Sequence, residues 1–463
     1  MFKPTRSFHF LGICGTAMGA VAAALRELGY QVTGSDDQVY PPMSTFLAER
    51  RIPIFTGYKP ENIPVDTDIV VVGNAISRGN LELEAVLNRK LLYRSLPEVL
   101  REFFLQGKTN IVVTGTHGKT TTTSLLTYVF RQANLSPSYL VGGLAKDLGQ
   151  GAAFSDSPFF VLEGDEYDTA FFDKRSKFLH YLPETVVINN IEFDHADIFK
   201  DIEEIKLTFQ RLVNIVPGSG EIFINSDDRN CESVVSQALA KVTRIGTGPE
   251  ADLRITDIRY DASGSRFVVD GQEIQMPQIG EFNLRNAAMA YAVARRYGIN
   301  QEIICTAIAK FRGVARRQEL RGEVNGIKVI DDFGHHPTAI KATLEGLRFR
   351  FPGQRLWAVF EPRSNTTRRA VFQQSLPAAL AAADGVVLAK VNRLETLPAE
   401  NRLDPKAVVE AVRKEGKPAF YEAKSEDIVA RLKPLAKRGD VVVVFSNGGF
   451  DGIHEKLLQG LAD

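Results

Sequence analysis

The sequence predicts an α/β protein of three domains, each built on a parallel sheet, and three observations carry that prediction. A chain of 463 residues is longer than one hydrophobic core usually serves. Apolar runs such as Ile69–Val72, Ile111–Val113 and Val441–Phe445 are continuous and bounded by Gly, Asp or Asn, the pattern of strands buried on both faces. Helical stretches such as Ser375–Ala383 alternate with those runs, as βαβ units require.

The alternation starts afresh three times, placing domains at 1–107, 108–312 and 313–463. The first begins at Phe8-His-Phe-Leu-Gly12, passes through Ile69–Gly73 and ends near Leu100–Phe104, before Gln106-Gly-Lys108. The second runs from Asn110–Val113 through Phe159–Glu163 and Thr185–Asn189. Short alternating segments between about 251 and 278, with Gly and Asp turns, predict an antiparallel insertion. The third follows Gly313 with Lys328–Asp331, Leu356–Phe360 and Val441–Phe445.

The composition narrows the functional classes. Fifty-six basic and 56 acidic residues cancel, which removes the electrostatic case for nucleic-acid or anionic-membrane binding. No apolar run approaches the roughly 20 residues that span a bilayer. The first residues lead into a strand without a signal-peptide core, and Cys14, Cys231 and Cys305 are too scattered for a disulfide framework. The chain reads as cytoplasmic. Nothing in the sequence specifies an oligomeric state.

Two glycine loops carry the first chemistry. Gly115-Thr116-His117-Gly118-Lys119-Thr120-Thr121 follows a strand and opens a helix. Backbone N–H groups there suit phosphate, Lys119 suits the β/γ oxygens and the Thr120 hydroxyl suits Mg²⁺. A plain strand-to-helix turn with a solvated lysine is the alternative. Gly12-Ile-Cys14-Gly15-Thr16-Ala-Met18-Gly19 follows the first strand, and its glycines would let a pyrophosphate approach a helix N-terminus. The next strand ends in Ser35-Asp36, placed for a ribose. A nicotinamide reading of this loop lacks a catalytic partner. Cys14 fits as a small residue, with a reactive thiol as the alternative.

Carboxylates follow two strands of the second domain. Glu163-Gly-Asp165-Glu166-Tyr-Asp168 gathers four acids in six residues, a crowding that a hard cation relieves and a solvated loop also tolerates. Asn190-Ile-Glu192-Phe-Asp194-His195 repeats the theme with a histidine, which is either a ligand or structural.

Together with Asn283-Leu-Arg-Asn286, these motifs resemble the Mur ligase family, from Gly12 to Gly449 and in the same order. The resemblance implies a UDP-binding Rossmann-like domain, a central P-loop ATPase domain and a C-terminal Rossmann-like domain. It implies ATP on Gly115–Thr121, with Asn286, Arg317 and Asp331 around the nucleotide. It implies Mg²⁺ on Thr120, Glu163 and His195, with Lys119, Glu163 and His195 catalytic. Gly12, Cys14, Gly15, Thr16, Met18, Ser35 and Asp36 would hold UDP-N-acetylmuramate. Phe282 replaces the family's adenine-side histidine, and Gln210 stands where some members carry a carbamylated lysine.

Asp331-Asp-Phe-Gly-His335-His336-Pro-Thr resembles the motif of members that act on UDP-N-acetylmuramate, helix capping being the other use of the two histidines. Glu361-Pro-Arg363-Ser364-Asn365-Thr resembles the branch that attaches a ready-made murein tripeptide in peptidoglycan recycling. Arg363, Ser364, Asn365, His335 and His336 would then hold the peptide, with Arg363 paired to Glu361 on the surface as the alternative. The implied reaction runs through an acyl phosphate, with the domains closing to exclude water. L-Alanine as the amine, or a non-catalytic nucleotide-binding scaffold, are the alternatives.

Overall fold

The computed structural model describes residues 5–41 and 43–462. They form two compact units: Met1–Ile191 with Glu203–Arg254 and Ala288–Ala307, and Glu192–Ile202 with Ile255–Ala287 and Ile308–Asp463. The three predicted sheets all form, and the first two share one unit.

In the first unit, β1 (Ser7–Leu11), β2 (Gln31–Asp36), β3 (Ile54–Thr56), β4 (Ile69–Val72) and β5 (Tyr93–Ser95) make a parallel sheet in the order β3-β2-β1-β4-β5. The order reverses between β1 and β4, which opens a crevice beyond their carboxyl ends. The glycine loop after β1 lies there and leads into the helix Thr16–Glu27.

The second sheet of that unit contains β6 (Thr109–Thr114), β7 (Ser138–Leu140), β8 (Ala152–Ala153) and β9 (Phe159–Glu163). A hairpin, β10 (Asp168–Ala170) and β11 (Asp173–Ser176), stands apart before β12 (Thr185–Ile188), β13 (Glu221–Asn225), β14 (Lys241–Gly246) and β15 (Leu253–Arg254). The order is β15-β14-β13-β12-β6-β9-β7-β8, and β8 alone pairs antiparallel. Central β6 is flanked by β9 and β12, so the segments leaving all three strands share one edge.

The second unit holds the predicted antiparallel insertion as β16 (Thr256–Asp261), β17 (Gly264–Val269) and β18 (Gln272–Met276). Its main sheet contains β19 (Glu319–Val324), β20 (Ile327–Asp332), β21 (Leu356–Phe360), β22 (Gly385–Ala389), β23 (Ala419–Glu422) and β24 (Val441–Phe445), in the order β19-β20-β24-β21-β22-β23. Alternate residues of one strand feed two cores. Val441, Val443 and Phe445 pack on one face, Val442 and Val444 on the other. Burial on both faces is why these strands read as unbroken apolar runs.

Glycine fits the first sheet to its loop. A Cβ at Gly34 would lie 2.6 Å from Ile13 and 2.7 Å from the Phe10 carbonyl oxygen, in the middle of β2. Gly34→Ala is therefore expected to destabilise the chain by about 1–3 kcal/mol through overpacking. A urea melt followed by circular dichroism measures this, and an unchanged midpoint would show that Ile13 and its loop yield freely.

Candidate active site

The loop after β6 is held by its own backbone and by its neighbour. Gly115 has φ +127°, and a Cβ there would come within 3.0 Å of Asn190 backbone atoms. Gly118, at φ +81°, caps the helix Lys119–Gln132 in the left-handed region that glycine enters without strain. The Thr116 N–H donates to the Asn190 carbonyl at 3.0 Å. The His117 N–H donates to Asn190 Oδ1 at 2.7 Å, and Asn190 Nδ2 donates back to the His117 carbonyl at 3.2 Å. The segment following β12 therefore braces the loop after β6.

Two carboxylates meet this loop, and a third, Asp165, acts on it through its charge. Lys119 Nζ donates to Glu166 Oε2 and to the Gly115 carbonyl, each at 2.8 Å. Glu163, at the end of β9, accepts from the Thr120 hydroxyl at 2.8 Å and from the Gly142 N–H at 2.6 Å. Burial and the neighbouring charge of Asp165 push the Glu163 carboxyl up, against the pull of Gly142, Lys119 and Thr120. Burial alone would lower the Lys119 ammonium, but Glu166, Asp165 and Glu163 outweigh it and hold the pKa above the ordinary lysine value. The cluster carries more negative charge than its lysine neutralises. Thr121, one turn into the helix, is buried.

The N-terminal glycine loop uses its glycines differently from one another. Gly12 adopts φ +86°, whereas Gly15, the N-cap of Thr16–Glu27, has an ordinary φ of −63°. Gly19 is closely packed, since a Cβ there would lie 2.5 Å from Met43 Sδ and 3.1 Å from the Ile13 carbonyl oxygen. Asp36 accepts from the Cys14 N–H at 2.9 Å. Burial, aided by Asp36, pushes the Cys14 thiol up to about 11, away from the thiolate that a reactive cysteine requires. Ser35 is fully buried and donates to Glu82 Oε1 at 2.9 Å, in a network with His9 and Asn62. Its hydroxyl thus serves the sheet interior. Gly15, Thr16 and Met18 line a cavity of about 290 Å³ whose other walls include Gly142, Glu163, Asp165 and Tyr167. Glu163, the acceptor of the Thr120 hydroxyl, thus lines the same cavity as the N-terminal glycine loop.

The remaining predicted residues lie in the second unit. His195 sits at φ +54°, and its N–H donates to Asp194 Oδ1 at 2.7 Å. Burial would raise the Asp194 carboxyl, but His335, His195 and the Thr366 hydroxyl hold it well below the usual carboxylate range. His335 Nε2 is 3.5 Å from Asp194 Oδ2, and His336 Nδ1 is 3.1 Å from Glu192 Oε2. His336 also caps the helix Pro337–Arg350, accepting from the Thr338 N–H at 3.3 Å. Asn365 donates to Asp197 at 2.6 Å and Thr366 to Asp194 at 2.5 Å. Three motifs far apart in sequence, beginning at Glu192, His335 and Asn365, form one polar cluster.

Arg363 lies 3.7 Å from Glu361 and packs over Gly448, where a Cβ would approach its Nε to 2.5 Å. Glu361 is held by Ser446 at 2.6 Å and Asn392 at 3.0 Å. Ser364 closes its own turn by accepting from the Thr367 N–H. Asn286 is buried on the helix Glu281–Arg296, and Arg317 lies over the Phe333 ring at 5.1 Å. Asp331 pairs with Arg316 at 3.1 Å and His454 at 3.3 Å.

The sequence matches three family models in chain order: "Mur ligase family, catalytic domain" over residues 7–108, "Mur ligase middle domain" over 113–294, and "Mur ligase, glutamate ligase domain" over 316–448. The UDP-N-acetylmuramate–L-alanyl-γ-D-glutamyl-meso-2,6-diaminoheptandioate ligase of Escherichia coli K12 is 41% identical over 98% of this chain and 98% of its own. The chain belongs to the Mur ligase family. A Mur ligase is an ATP-dependent enzyme that forms a C–N bond. The UDP-N-acetylmuramate–L-alanine ligase of Desulforapulum autotrophicum is 32% identical over the whole of both chains. The solved murein peptide ligase of Psychrobacter arcticus, 35% identical, superposes with a TM-score of 0.72 over 99% of each chain. The UDP-N-acetylmuramate–alanine ligase of Thermotoga maritima shares the fold at 21% identity, with a TM-score of 0.79 over 98% of each chain.

Read as a Mur ligase, the chain contains site residues that motif reasoning passed over. Glu166 was one acid among four, yet it is the partner of Lys119. Asn190 stands in its own motif, yet it braces the loop after β6. Arg316, and not its neighbour Arg317, reaches Asp331, and no local signal marks His454. Asn190→Ala removes two hydrogen bonds that shape the loop, so ATP affinity should fall about tenfold while the fold persists. Calorimetric titration with ATP checks this, and an unchanged affinity would show that the glycines alone hold the loop.

Proposed function

We propose that this chain joins UDP-N-acetylmuramate to L-alanyl-γ-D-glutamyl-meso-diaminopimelate, with ATP cleaved to ADP and phosphate. The observation that carries the reading is the likeness over nearly the full length to the Escherichia coli ligase of that name, on a chain whose Thr120 hydroxyl donates to Glu163 and whose Lys119 is held by Glu166. A scaffold that only bound nucleotide would have no use for buried carboxylates crowded against the phosphate lysine. Domains 1–107, 108–312 and 313–463 would hold the UDP-sugar, the ATP and the peptide respectively, in the cytoplasm and as part of peptidoglycan recycling.

The phosphate loop orients ATP through the N–H groups at the start of Lys119–Gln132 and the Lys119 ammonium. The lactyl carboxylate of the sugar attacks the γ-phosphorus. The bond to the β-phosphate oxygen breaks, ADP leaves, and an acyl phosphate forms. The peptide's α-amine then attacks the acyl carbon, loses a proton, and expels phosphate. Water has to be kept from the acyl phosphate throughout. Adjacent hard oxygens on Thr120 and Glu163, in surplus negative charge, fit Mg²⁺, and those two residues would hold it. Such an ion supplies charge neutralisation at the transferring phosphoryl group.

Arg363 is half-exposed, just beyond β21 at the carboxyl edge of the sheet, with Glu361 beside it but 3.7 Å away. A forked cation so placed suits a peptide carboxylate. Phosphate release measured with each amine donor tests the whole reading. The tripeptide should support turnover and L-alanine should not. L-Alanine turnover would instead favour the single-amino-acid ligase, and no turnover with any amine the scaffold. In the same assay, Arg363→Ala should raise the tripeptide KM about tenfold while sparing the KM values for ATP and UDP-N-acetylmuramate. A loss confined to ATP would move Arg363 to the nucleotide site.

A further inference from the structure

The cavity of about 290 Å³ in the first unit is walled by Gly15, Thr16 and Met18 on one side and by Glu163 and Asp165 on another. An anionic nucleophile entering it meets two carboxylates. Lys119 does not line it and is committed to Glu166 and the Gly115 carbonyl. Among the described residues that line the cavity, the only cation is Lys177.

Lys177 is held there by the hairpin that precedes it. Its backbone N–H donates to the Tyr167 carbonyl at 3.3 Å, directly after β11. The hairpin is closed by the Ser176 hydroxyl on the Glu166 carbonyl and by Thr169 on the Arg175 carbonyl at 2.7 Å. Its tip is fixed by Phe172 edge-on to Tyr93, at 4.9 Å between centroids, and Asp173 ties Arg175 at 2.8 Å and His180 at 3.0 Å. The Lys177 side chain is 17% exposed, its Nζ 4.0 Å above the Tyr167 ring and 3.1 Å from Asp165 Oδ2. An ammonium has three N–H donors, and Asp165 takes one. The aromatic face and the hairpin restrict where the others point.

We propose that Lys177 is the residue that binds the lactyl carboxylate of the muramyl sugar and holds it for attack, its ammonium countering the carboxylates at the cavity edge. The inference rests on the reaction given above, because it takes that sugar acid as the substrate. A role confined to bracing Asp165 would make Lys177 indifferent to the lactyl group, and that difference is measurable.

The test is calorimetric titration of the full chain, without ATP, with UDP-N-acetylmuramate and with UDP-N-acetylglucosamine, which lacks the lactyl carboxylate. The wild-type chain should prefer the muramyl ligand. Lys177→Met should weaken that ligand about tenfold, as loss of a charge-assisted hydrogen bond does, and leave the glucosamine ligand within about twofold. Lys177→Arg should keep the preference, and retained ATP binding reports an intact fold. If the methionine variant does not fold, Lys177→Gln is read in the same way. Equal loss of both ligands, or a preference that survives in the neutral variant, would overturn the assignment of Lys177. A wild-type chain that binds UDP-N-acetylglucosamine but not UDP-N-acetylmuramate would overturn the reaction itself.

Discussion

One buried ion pair, Lys119 with Glu166, governs the carboxyl edge of β6 and β9. Both side chains are nearly excluded from water, and Asp165 and Glu163 stand close enough to act on the same lysine. Burying that much charge is costly unless each member has a partner, and the partners come from two segments: the loop after β6, with Gly115 and Thr120, and the stretch carrying Gly142. The loop conformation and the position of Glu163 are thus parts of a single arrangement. Asn190 adds the mechanical support, fastening the loop to the chain that leaves β12.

The second unit solves a similar problem with a different set of residues. Asp194 is buried, and His335, His195 and Thr366 keep it ionised. Asn365 holds Asp197 in the same cluster, so the segment carrying Glu192 and His195 is tied to the one following β21. At the carboxyl ends of β21 and β24, Glu361 is fixed by Ser446 and Asn392, leaving Arg363 supported along its length by Gly448. A guanidinium positioned this way has already lost part of its side-chain freedom.

Much of this was legible in the sequence because it is local. Unbroken apolar runs announced β1, β6 and β24, and glycines at Gly115 and Gly118 announced a loop that only they can form. Motif order then implied the family and its division of labour. Contacts made at long range were not legible. Nothing near Glu166 distinguishes it from Asp165 or Asp168, and its pairing with Lys119 spans 47 residues. Ser35 looked available for a ribose because its strand ends there, but Glu82, far along the chain, claims the hydroxyl. The different demands on Gly12, Gly15 and Gly19 were not legible for a related reason: backbone angle and helix packing depend on neighbours such as Met43.

The central claim is that this edge transfers a phosphoryl group to a sugar carboxylate and not to water. It is tested most directly with UDP-N-acetylmuramate carrying ¹⁸O at both oxygens of the lactyl carboxylate, in a complete reaction with ATP and the tripeptide. If an acyl phosphate forms, the oxygen that bridged carbon and phosphorus leaves with the phosphate, and mass spectrometry will find one ¹⁸O in each phosphate released. Unlabelled phosphate accompanying amide formation would contradict the account.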